Sequence, residues 1–252
     1  MEVTPLGDSA VLIRVAENFD DAPEHALEKV LAAQRALSAA KIPGMVELVP
    51  AYTTVSLFYD PVRAIDAGAP VENVFGWLEQ RIREVIAKID NVSANPIKSA
   101  VIDVPVCYDP EFGLDLEDVA RQAGINPNEV VDLHVSAEYR VHCVGFIGGF
   151  PFLGGLPRNL ATPRRETPRK EIPAGSVGIG GKQTGIYPIK SPGGWNIIGR
   201  TPLRLFDPQK NPPIVLRAGD LVRFRPITRE ELEGSTIKPT GAERDGRAAP
   251  KG

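Results

Sequence analysis

The chain has 252 residues, of which 42% are hydrophobic and 24% charged, and its formal net charge is −3. This length and composition fit a globular protein with one large or two modest domains. A slightly negative chain is not built as a whole to bind a polyanion, so we expect no nucleic-acid partner. Its two cysteines, Cys107 and Cys143, are too few to hold a fold of this size together.

The sequence offers no membrane-spanning or targeting signal. No apolar stretch is long enough to cross a bilayer, and the opening MEVTPLGDSA lacks the basic-then-apolar pattern of a signal peptide. We therefore expect a cytoplasmic protein without a membrane partner.

The first hundred residues alternate strand and helix signals. Apolar residues at three- and four-residue steps predict helices, and short β-rich runs predict strands. The resulting order is β-α-β-β-α-β, the split βαβ pattern, which places two helices on one face of a four-stranded sheet. The predicted strands are Ser9–Val15, Met45–Val49, Thr53–Tyr59 and Lys98–Val106, and the predicted helices are Ala22–Ala40 and Val71–Ile89.

Two short helices are predicted next, with Asp115 and Asn126 as their N-caps and an end near His134. Their sequence, LEDVARQAGINPNEVVDLH, resembles a DNA-binding helix-turn-helix. Its second helix, however, carries Glu129 and Asp132 and no lysine or arginine, and phosphate contacts need cations. A structural helical hairpin is therefore favoured.

From Tyr139 the signals are β and turn. Many short strands between Gly/Pro turns indicate a small closed barrel, followed by a helical turn from Thr228 and a polar tail after Gly234 that we expect to be disordered. The predicted strands are Tyr139–Phe146, Ser176–Ile179, Gly185–Ile189, Trp195–Ile198, Leu203–Phe206, Ile214–Leu216 and Leu221–Pro226.

The segment from Gly145 to Arg200 is the densest in glycine, proline and isolated cations. Its PRRETPRK run is held extended by prolines, and rigid arginines suit two-pronged recognition of a carboxylate or phosphate. A glycine pair followed by an aromatic side chain is what the lip of a pocket would use. These patterns predict an anion-binding site.

The GIGGKQTG motif invites comparison with a nucleotide-binding loop. It fails the phosphate-loop spacing, because Ser176 stands where a glycine is needed and Gln183 follows Lys182. A glycine-rich turn between strands is favoured, although Lys182 and nearby backbone amides could still hold an anion in another way. No metal-ligand spacing and no nucleophile–base pair is visible, so no catalytic residue is assigned.

The predicted site residues fall into two groups. The first group would contact an anionic ligand, and the second group contains weaker candidates. They are Arg164, Arg165, Arg169, Lys182, Gln183, Gly193, Gly194 and Trp195, and then His134, Arg140 and Arg200.

Several long motifs, which extend to about Ile227, match a known family. They are LGDSAVLIR, TTVSLFYDP, AEYRV, GFPFLGGLP, TPRRETPR, IPAGSVGIGGKQTGIYPIKSPGGW and IGRTPL. On these motifs the chain resembles the family of the 5-oxoprolinase B subunit, also called allophanate hydrolase subunit 1 or the Kip-type sensor-kinase inhibitor. Two departures from the family's GF-x-PGFPYL loop are Gly148, where proline is usual, and Phe152, where tyrosine is common. The resemblance implies that the first group of site residues contacts the substrate or ATP.

The resemblance implies an α+β fold: a ferredoxin-like (βαββαβ) domain over residues 1–97, a cyclophilin-like β-barrel over 98–228, and a short helical turn with a flexible tail over 229–252. It also implies partners, the C-type and A-type subunits of a 5-oxoprolinase, with which the chain would hydrolyse 5-oxo-L-proline to L-glutamate. ATP with Mg²⁺ would take part. The family leaves two alternatives open, an inhibitor of a sensor histidine kinase and a carboxyltransferase-like half of a urea carboxylase or allophanate hydrolase system.

Overall fold

The computed structural model describes residues 1–89 and 101–234, and the chain divides into two compact units, Met1–Lys98 and Ser99–Gly252. Helices combine with mainly antiparallel strands, which is the α+β class that the sequence predicts. Within the described ranges no helix has both the length and the apolar character needed to cross a membrane.

The first unit is an antiparallel sheet in the order β1-β2-β4-β3, accompanied by three helices. Helices α1 and α3 confirm the two amphipathic helices that the sequence predicts, whereas α2 follows the Asp60-Pro61 pair without having been predicted. The strands are β1 (Glu2–Pro5), β2 (Ala10–Arg14), β3 (Met45–Ala51) and β4 (Thr54–Tyr59), and the helices are α1 (Pro23–Ala40), α2 (Pro61–Asp66) and α3 (Val74–Ile86), with a 3₁₀ turn at Val71–Asn73.

The core of this unit follows from strand alternation. Val11 and Ile13 of β2 lie opposite Leu57 and Val55 of β4, and all four are fully buried. Because side chains alternate across a strand, these residues share one face of the sheet, and that face carries the helices. The helical residues that complete this core include Val30, Ala33, Leu37, Leu78 and Ile82.

The prediction that residues 98–106 close the first sheet is wrong. The strand at Val101–Val106, β5, belongs to the second unit and pairs in parallel with Leu221–Pro226. In the first sheet, β1 lies beside β2 instead, with Val3 opposite Ile13. The helix-then-strand order does not identify the pairing partner, because pairing is decided by long-range contacts that periodicity does not encode.

The second unit contains nine strands and three helices in its described part. Strands β7, β8 and β11 lie in glycine- and proline-rich sequence and were not predicted. The strands are β5, β6 (Glu138–Val144), β7 (Pro151–Gly154), β8 (Arg169–Ile172), β9 (Ser176–Gly180), β10 (Gln183–Ile186), β11 (Ser191–Gly193), β12 (Asn196–Arg200) and β13 (Leu221–Pro226), and the helices are α4 (Leu116–Ala123), α5 (Pro127–Ser136) and α6 (Arg229–Glu233).

Its main sheet runs antiparallel in the order β6-β7-β10-β9-β12, with β13 antiparallel to β6 and parallel to β5. Strands β8 and β11 form a separate two-stranded ribbon. The predicted strands at 203–206 and 214–216 are wrong, because these segments form an isolated bridge between Phe206 and Ile214, with backbone hydrogen bonds from Val215 to Leu205 and from Asp207 to Pro213, and do not form a ladder. The predicted tail after Gly234 lies outside the described residues.

Strand β9 separates two apolar layers of the second unit. Val177 and Ile179 face the main core, together with side chains such as Val119 of α4 and Val130 of α5. The opposite face carries Gly178 and Gly180 and is covered by a second cluster. That aromatic cluster consists of Phe150, Ile172, Tyr187, Trp195 and Ile197, with Ile147 and Phe152 packed against it.

Helices α4 and α5 contact each other and contribute buried residues to the main core. Val119, Ala120 and Val130 are almost fully buried, so the apolar faces of both helices are used inside the unit. This packing supports the structural helical hairpin over a DNA-reading motif.

Candidate functional site

The loop between Thr162 and Arg169 is held in place by one buried carboxylate. Asp115, at the start of α4, is 1% exposed. Its oxygens accept hydrogen bonds from Arg165 Nη1 at 2.6 Å, from Arg169 Nη1 and Nη2 at 2.7 and 2.8 Å, and from the Ile197 backbone N–H at 2.7 Å. The hydrogen bonds to Asp115 raise the pKa of the Arg169 guanidinium. The arrangement is a charge-assisted cluster with satisfied acceptors, as a buried charge requires.

Backbone contacts fix the same loop against the turn that precedes β12. The Arg165 N–H donates to the Gly194 carbonyl at 2.8 Å, and the Asn196 side-chain amide donates to the Pro163 carbonyl at 2.9 Å. At its start, Thr162 pairs with Gly181 through two backbone hydrogen bonds. The loop is therefore a rigid part of the scaffold.

Arg164 differs from its neighbours. Its side chain is exposed, and its guanidinium carbon lies 5.7 Å from the centroid of the Trp195 ring. Within residues 1–89 and 101–234 it forms no ion pair. A guanidinium over an indole face is a favourable cation–π arrangement that leaves its N–H donors available.

Tyr187 and Trp195 form the wall behind this arginine. The tryptophan is 5% exposed and contacts Phe150 and Phe152 edge-on. Burial raises the pKa of the Tyr187 hydroxyl, partly opposed by a hydrogen bond from the Trp195 backbone and by the charges of Arg164 and Arg169. Two arginines therefore lie near one buried phenol.

The glycines of this region make room for those aromatic rings. A Cβ on Gly180 would lie 2.6 Å from the Trp195 ring, and a Cβ on Gly193 would overlap the Tyr187 hydroxyl. At Gly194 a Cβ would meet Pro168 at 3.6 Å and the Arg165 carbonyl oxygen at 3.7 Å, which are ordinary contact distances. The glycines of the GIGGKQTG motif thus leave space for the aromatic rings. This steric role explains why the motif does not have the spacing of a phosphate-binding loop.

Lys182 and Gln183 follow this glycine face at the turn into β10. Lys182 is exposed, Gln183 is half-buried opposite Gly180, and the adjacent Gly181 has a φ of +64°. Because Gly181 pairs with Thr162, this turn lies beside the beginning of the arginine loop.

His134 lies in the core, away from solvent. The Tyr108 hydroxyl donates to His134 Nδ1 at 2.8 Å, and His134 Nε2 donates to Thr184 Oγ1 at 3.1 Å. These directions follow because the Thr184 hydroxyl donates its own proton to the Gly178 carbonyl. Burial lowers the pKa of His134 to about 3, so the ring is neutral and links α5 to the sheet.

The other secondary candidates lie in different surroundings. Arg140 donates to the Gly219 carbonyl at 3.0 Å, and Arg200 lies with its guanidinium 5.1 Å from the Phe112 ring centroid. Both of these contacts lie outside the loop of Arg164. Of the family departures, Gly148 lies against Phe206, and Phe152 packs into the aromatic cluster.

Sequence reasoning missed the role of Asp115. It treated this residue as a helix N-cap, yet the side chain forms no capping hydrogen bond. The partners Arg165 and Arg169 lie 50 and 54 positions further along the chain, and no local signal connects them.

The geometry can be compared with known proteins. A family model described as "Carboxyltransferase domain, subdomain C and D" matches residues 1–216. The 5-oxoprolinase B subunit of Bacillus subtilis (strain 168) is 43% identical over 235 residues, covering 91% of this chain and 94% of that protein. The 5-oxoprolinase B subunit of Escherichia coli O157:H7 is 39% identical over 221 residues, covering 88% and 94%.

A solved structure shares the fold. The crystal structure of TTHA0988 in space group P212121 superposes with a TM-score of 0.70 at 36% sequence identity and covers 86% of this chain. The match covers 40% of that crystallised chain, so the present chain spans about two fifths of its length.

Proposed function

We propose that this chain, which belongs to the family of carboxyltransferase subdomains C and D, acts as the B subunit of an ATP-dependent 5-oxoprolinase. The observation that carries the proposal is the near full-length similarity to two proteins named as 5-oxoprolinase B subunits, at 43% and 39% identity. The reaction would convert 5-oxo-L-proline to L-glutamate with hydrolysis of ATP. The same reasoning extends the family fold to this chain, with a ferredoxin-like first unit and a cyclophilin-like barrel as the second.

The first unit is compatible with that fold, with one modification. Strands β2, β4 and β3 with helices α1 and α3 reproduce the split βαβ arrangement. The edge position beside β2 is occupied by β1 in place of a closing strand.

The chemistry requires control of negative charge. An amide resists water because resonance stabilises it, and phosphorylation of its oxygen would activate the carbon for attack. Both the carboxylate of 5-oxoproline and the transferred phosphoryl group need cationic partners. The surface around Arg164 and Trp195, with Lys182 on the neighbouring turn, supplies such partners.

The proposed partners are the A-type and C-type subunits of the same enzyme. Among the three histidines of the chain, His134 and His142 are buried with lowered pKa values, and His25 is on the first unit. The surface around Arg164 and Trp195 therefore has no histidine that could act as a base. We therefore propose that this chain contributes cationic groups and that a partner subunit supplies the general base.

Magnesium would enter with the nucleotide in this proposal. In the described ranges no cluster of three or more His, Cys, Asp or Glu could hold a metal ion. Asp115, the buried carboxylate that contacts the arginine loop, is already bound by two guanidinium groups. The described residues do not fit a resident metal, so no step here depends on one.

The test is reconstitution. The chain is purified with A-type and C-type subunits from the same genome, and ATP hydrolysis and glutamate formation are measured with and without 5-oxo-L-proline. We expect both to require all three proteins and the substrate. Full activity in the absence of this chain, or no 5-oxoproline-dependent activity in the complete mixture, would contradict the proposal.

The family model favours a second candidate function, a half of a carboxyltransferase. Carboxyl transfer from carboxybiotin would also place a carboxylate near cations. Incubation of the complex with carboxybiotin and candidate acceptors distinguishes the two, because only a carboxyltransferase would consume carboxybiotin. The kinase-inhibitor alternative stays a prediction, for which binding to a purified sensor kinase is the measurement.

A further inference from the structure

We infer that Asp115 is a positioning residue that divides the loop arginines into two roles. Arg165 and Arg169 are held by Asp115, and Arg164, whose guanidinium carbon lies 5.7 Å from the centroid of the Trp195 ring, is the arginine that binds the oxyanion of the ligand. The inference rests on the proposed function for the identity of that ligand. It adds a residue to the site and narrows the arginines that contact substrate from three to one.

The assignment of Arg165 and Arg169 follows from how Asp115 is satisfied. Three guanidinium N–H groups and one backbone N–H point at a carboxylate that is 1% exposed. Withdrawing either arginine to bind a substrate would leave a buried charge with fewer partners, which is strongly unfavourable. These two arginines therefore remain with Asp115.

Asp115 connects the start of α4 to the arginine loop, to β8 and to β12. The residue begins α4, the arginines come from the loop and from β8, and the Ile197 N–H belongs to β12. The Arg165 backbone also bonds to Gly194, which precedes Trp195. Loss of the Asp115 charge would remove the contacts that orient the side chains of Arg165 and Arg169, and the loop would then depend on the Arg165–Gly194 and Asn196–Pro163 hydrogen bonds for its position beside Trp195.

Arg164 directly precedes Arg165 in a loop that contains Pro163 and Pro168. With Arg165 bound inward, Arg164 is exposed and keeps its donors free of ion pairs in the described part of the chain. Its planar fork matches either a carboxylate or a phosphate, and the indole face beneath it limits its movement. The shared ligand chemistry is thus an oxyanion, from 5-oxoproline or from ATP.

The first experiment measures kinetics in the reconstituted complex. Arg164→Ala is expected to raise the KM for one of the two ligands at least tenfold with a smaller change in kcat, and Arg164→Lys to restore part of the loss. The ligand whose KM changes identifies the oxyanion. Arg223→Ala, which removes an exposed arginine of β13 that is paired with Asp103 of β5, is the matched control and should leave both constants unchanged.

The second experiment tests positioning. Asp115→Asn is expected to raise the same KM as Arg164→Ala, and the double variant Asp115→Asn/Arg164→Ala to lose no more than Arg164→Ala alone. Such non-additivity between residues without mutual contact indicates that Asp115 acts through Arg164. The positioning role would be overturned if the KM of the double variant rose by the product of the two single effects. It would also be overturned if Asp115→Asn lowered kcat and left KM unchanged.

The third experiment separates this inference from the proposed function. In the full chain carrying Trp77→Phe, Trp195 is the remaining tryptophan, and its fluorescence reports binding beneath Arg164. Titration with 5-oxo-L-proline and with ATP, for the chain alone and in the complex, should change the emission, and Arg164→Ala should weaken the response at least tenfold. If the complex lacks 5-oxoprolinase activity but this response depends on Arg164, only the proposed function fails. An equal response in Arg164→Ala, or none in the parent under either condition, overturns the inference.

Discussion

Gly178 and Gly180 occupy the face of β9 that Trp195 covers. Sequence analysis correctly rejected a phosphate loop from the spacing of the motif, but it could not say why glycine recurs there. The reason is steric, because a side chain on Gly180 would intrude into the indole ring. This reason depends on the residue that packs against the strand, and Trp195 lies 15 positions after Gly180 in the sequence.

The buried histidines lead to a prediction about pH. Burial lowers the pKa of His134 to about 3 and that of His142 to about 4. Below pH 6.5 the unfolded chain takes up protons on these side chains that the folded chain does not bind, so the free energy of unfolding decreases as pH falls towards those values. Each histidine should contribute a slope of at most about 1.4 kcal/mol per pH unit in that range.

Urea unfolding between pH 7 and 4.5 measures this slope. His134→Gln and His142→Gln should each make the decline shallower, whatever they do to stability at pH 7. Val62→Ala, at an exposed side chain that does not titrate, should leave the slope as it is. Unaltered slopes in both core variants would mean that these histidines do not titrate between the two states as their burial requires.

Helices α4 and α5 begin with similar sequence signals and differ in how they use them. Asn126 accepts a hydrogen bond from the Glu129 N–H at 3.0 Å, and the Glu129 carboxylate accepts one from the Asn126 N–H, completing a capping box. Asp115 holds the arginines instead. The sequence therefore predicts where both helices start, but only long-range geometry reveals that the first side chain serves the loop.

This contrast predicts unequal effects on stability. Asn126→Ala should cost about 1 kcal/mol, the ordinary value of an N-cap. Asp115→Ala should cost about 3 kcal/mol, because it leaves two partly buried arginines without their carboxylate. Urea midpoints with a common m-value measure the difference, and equal losses would indicate that Asp115 contributes as a cap.

The sequence predicts many of the helices and strands, but it does not predict which strands pair. Helices α1 and α3 are visible in the sequence because their apolar residues repeat with the helical period. Strand β5 is also visible, but its partner β13 lies more than a hundred residues later. Strands β7, β8 and β11 are short and contain glycine, proline or charge, so their strand character comes from pairing and not from composition.

The division into two units is encoded differently in each half. In the first unit the two amphipathic helices follow from periodicity, whereas the pairing of β2 with β4 joins strands that are not sequential neighbours. The second has two apolar layers on either side of β9, and its candidate site depends on contacts between segments far apart in sequence. The candidate site residues were predicted from charge and glycine content, and the structure adds the contacts of Arg165 and Arg169 with Asp115, which local sequence does not predict.

The first unit should fold as a fragment. Its core draws on residues from Val3 to Ile89 and combines one sheet face with the apolar stripes of α1 and α3. A chain of about 90 residues can bury enough apolar surface for independent stability. A fragment of residues 1–89 should therefore show a cooperative urea transition and dispersed amide signals. Leu37→Asp should abolish both, because it places a charge in this core.

Val62→Asp, at an exposed position on α2, is the control and should retain the transition. A non-cooperative fragment would mean that the amphipathic pattern of this half cannot stabilise its fold alone.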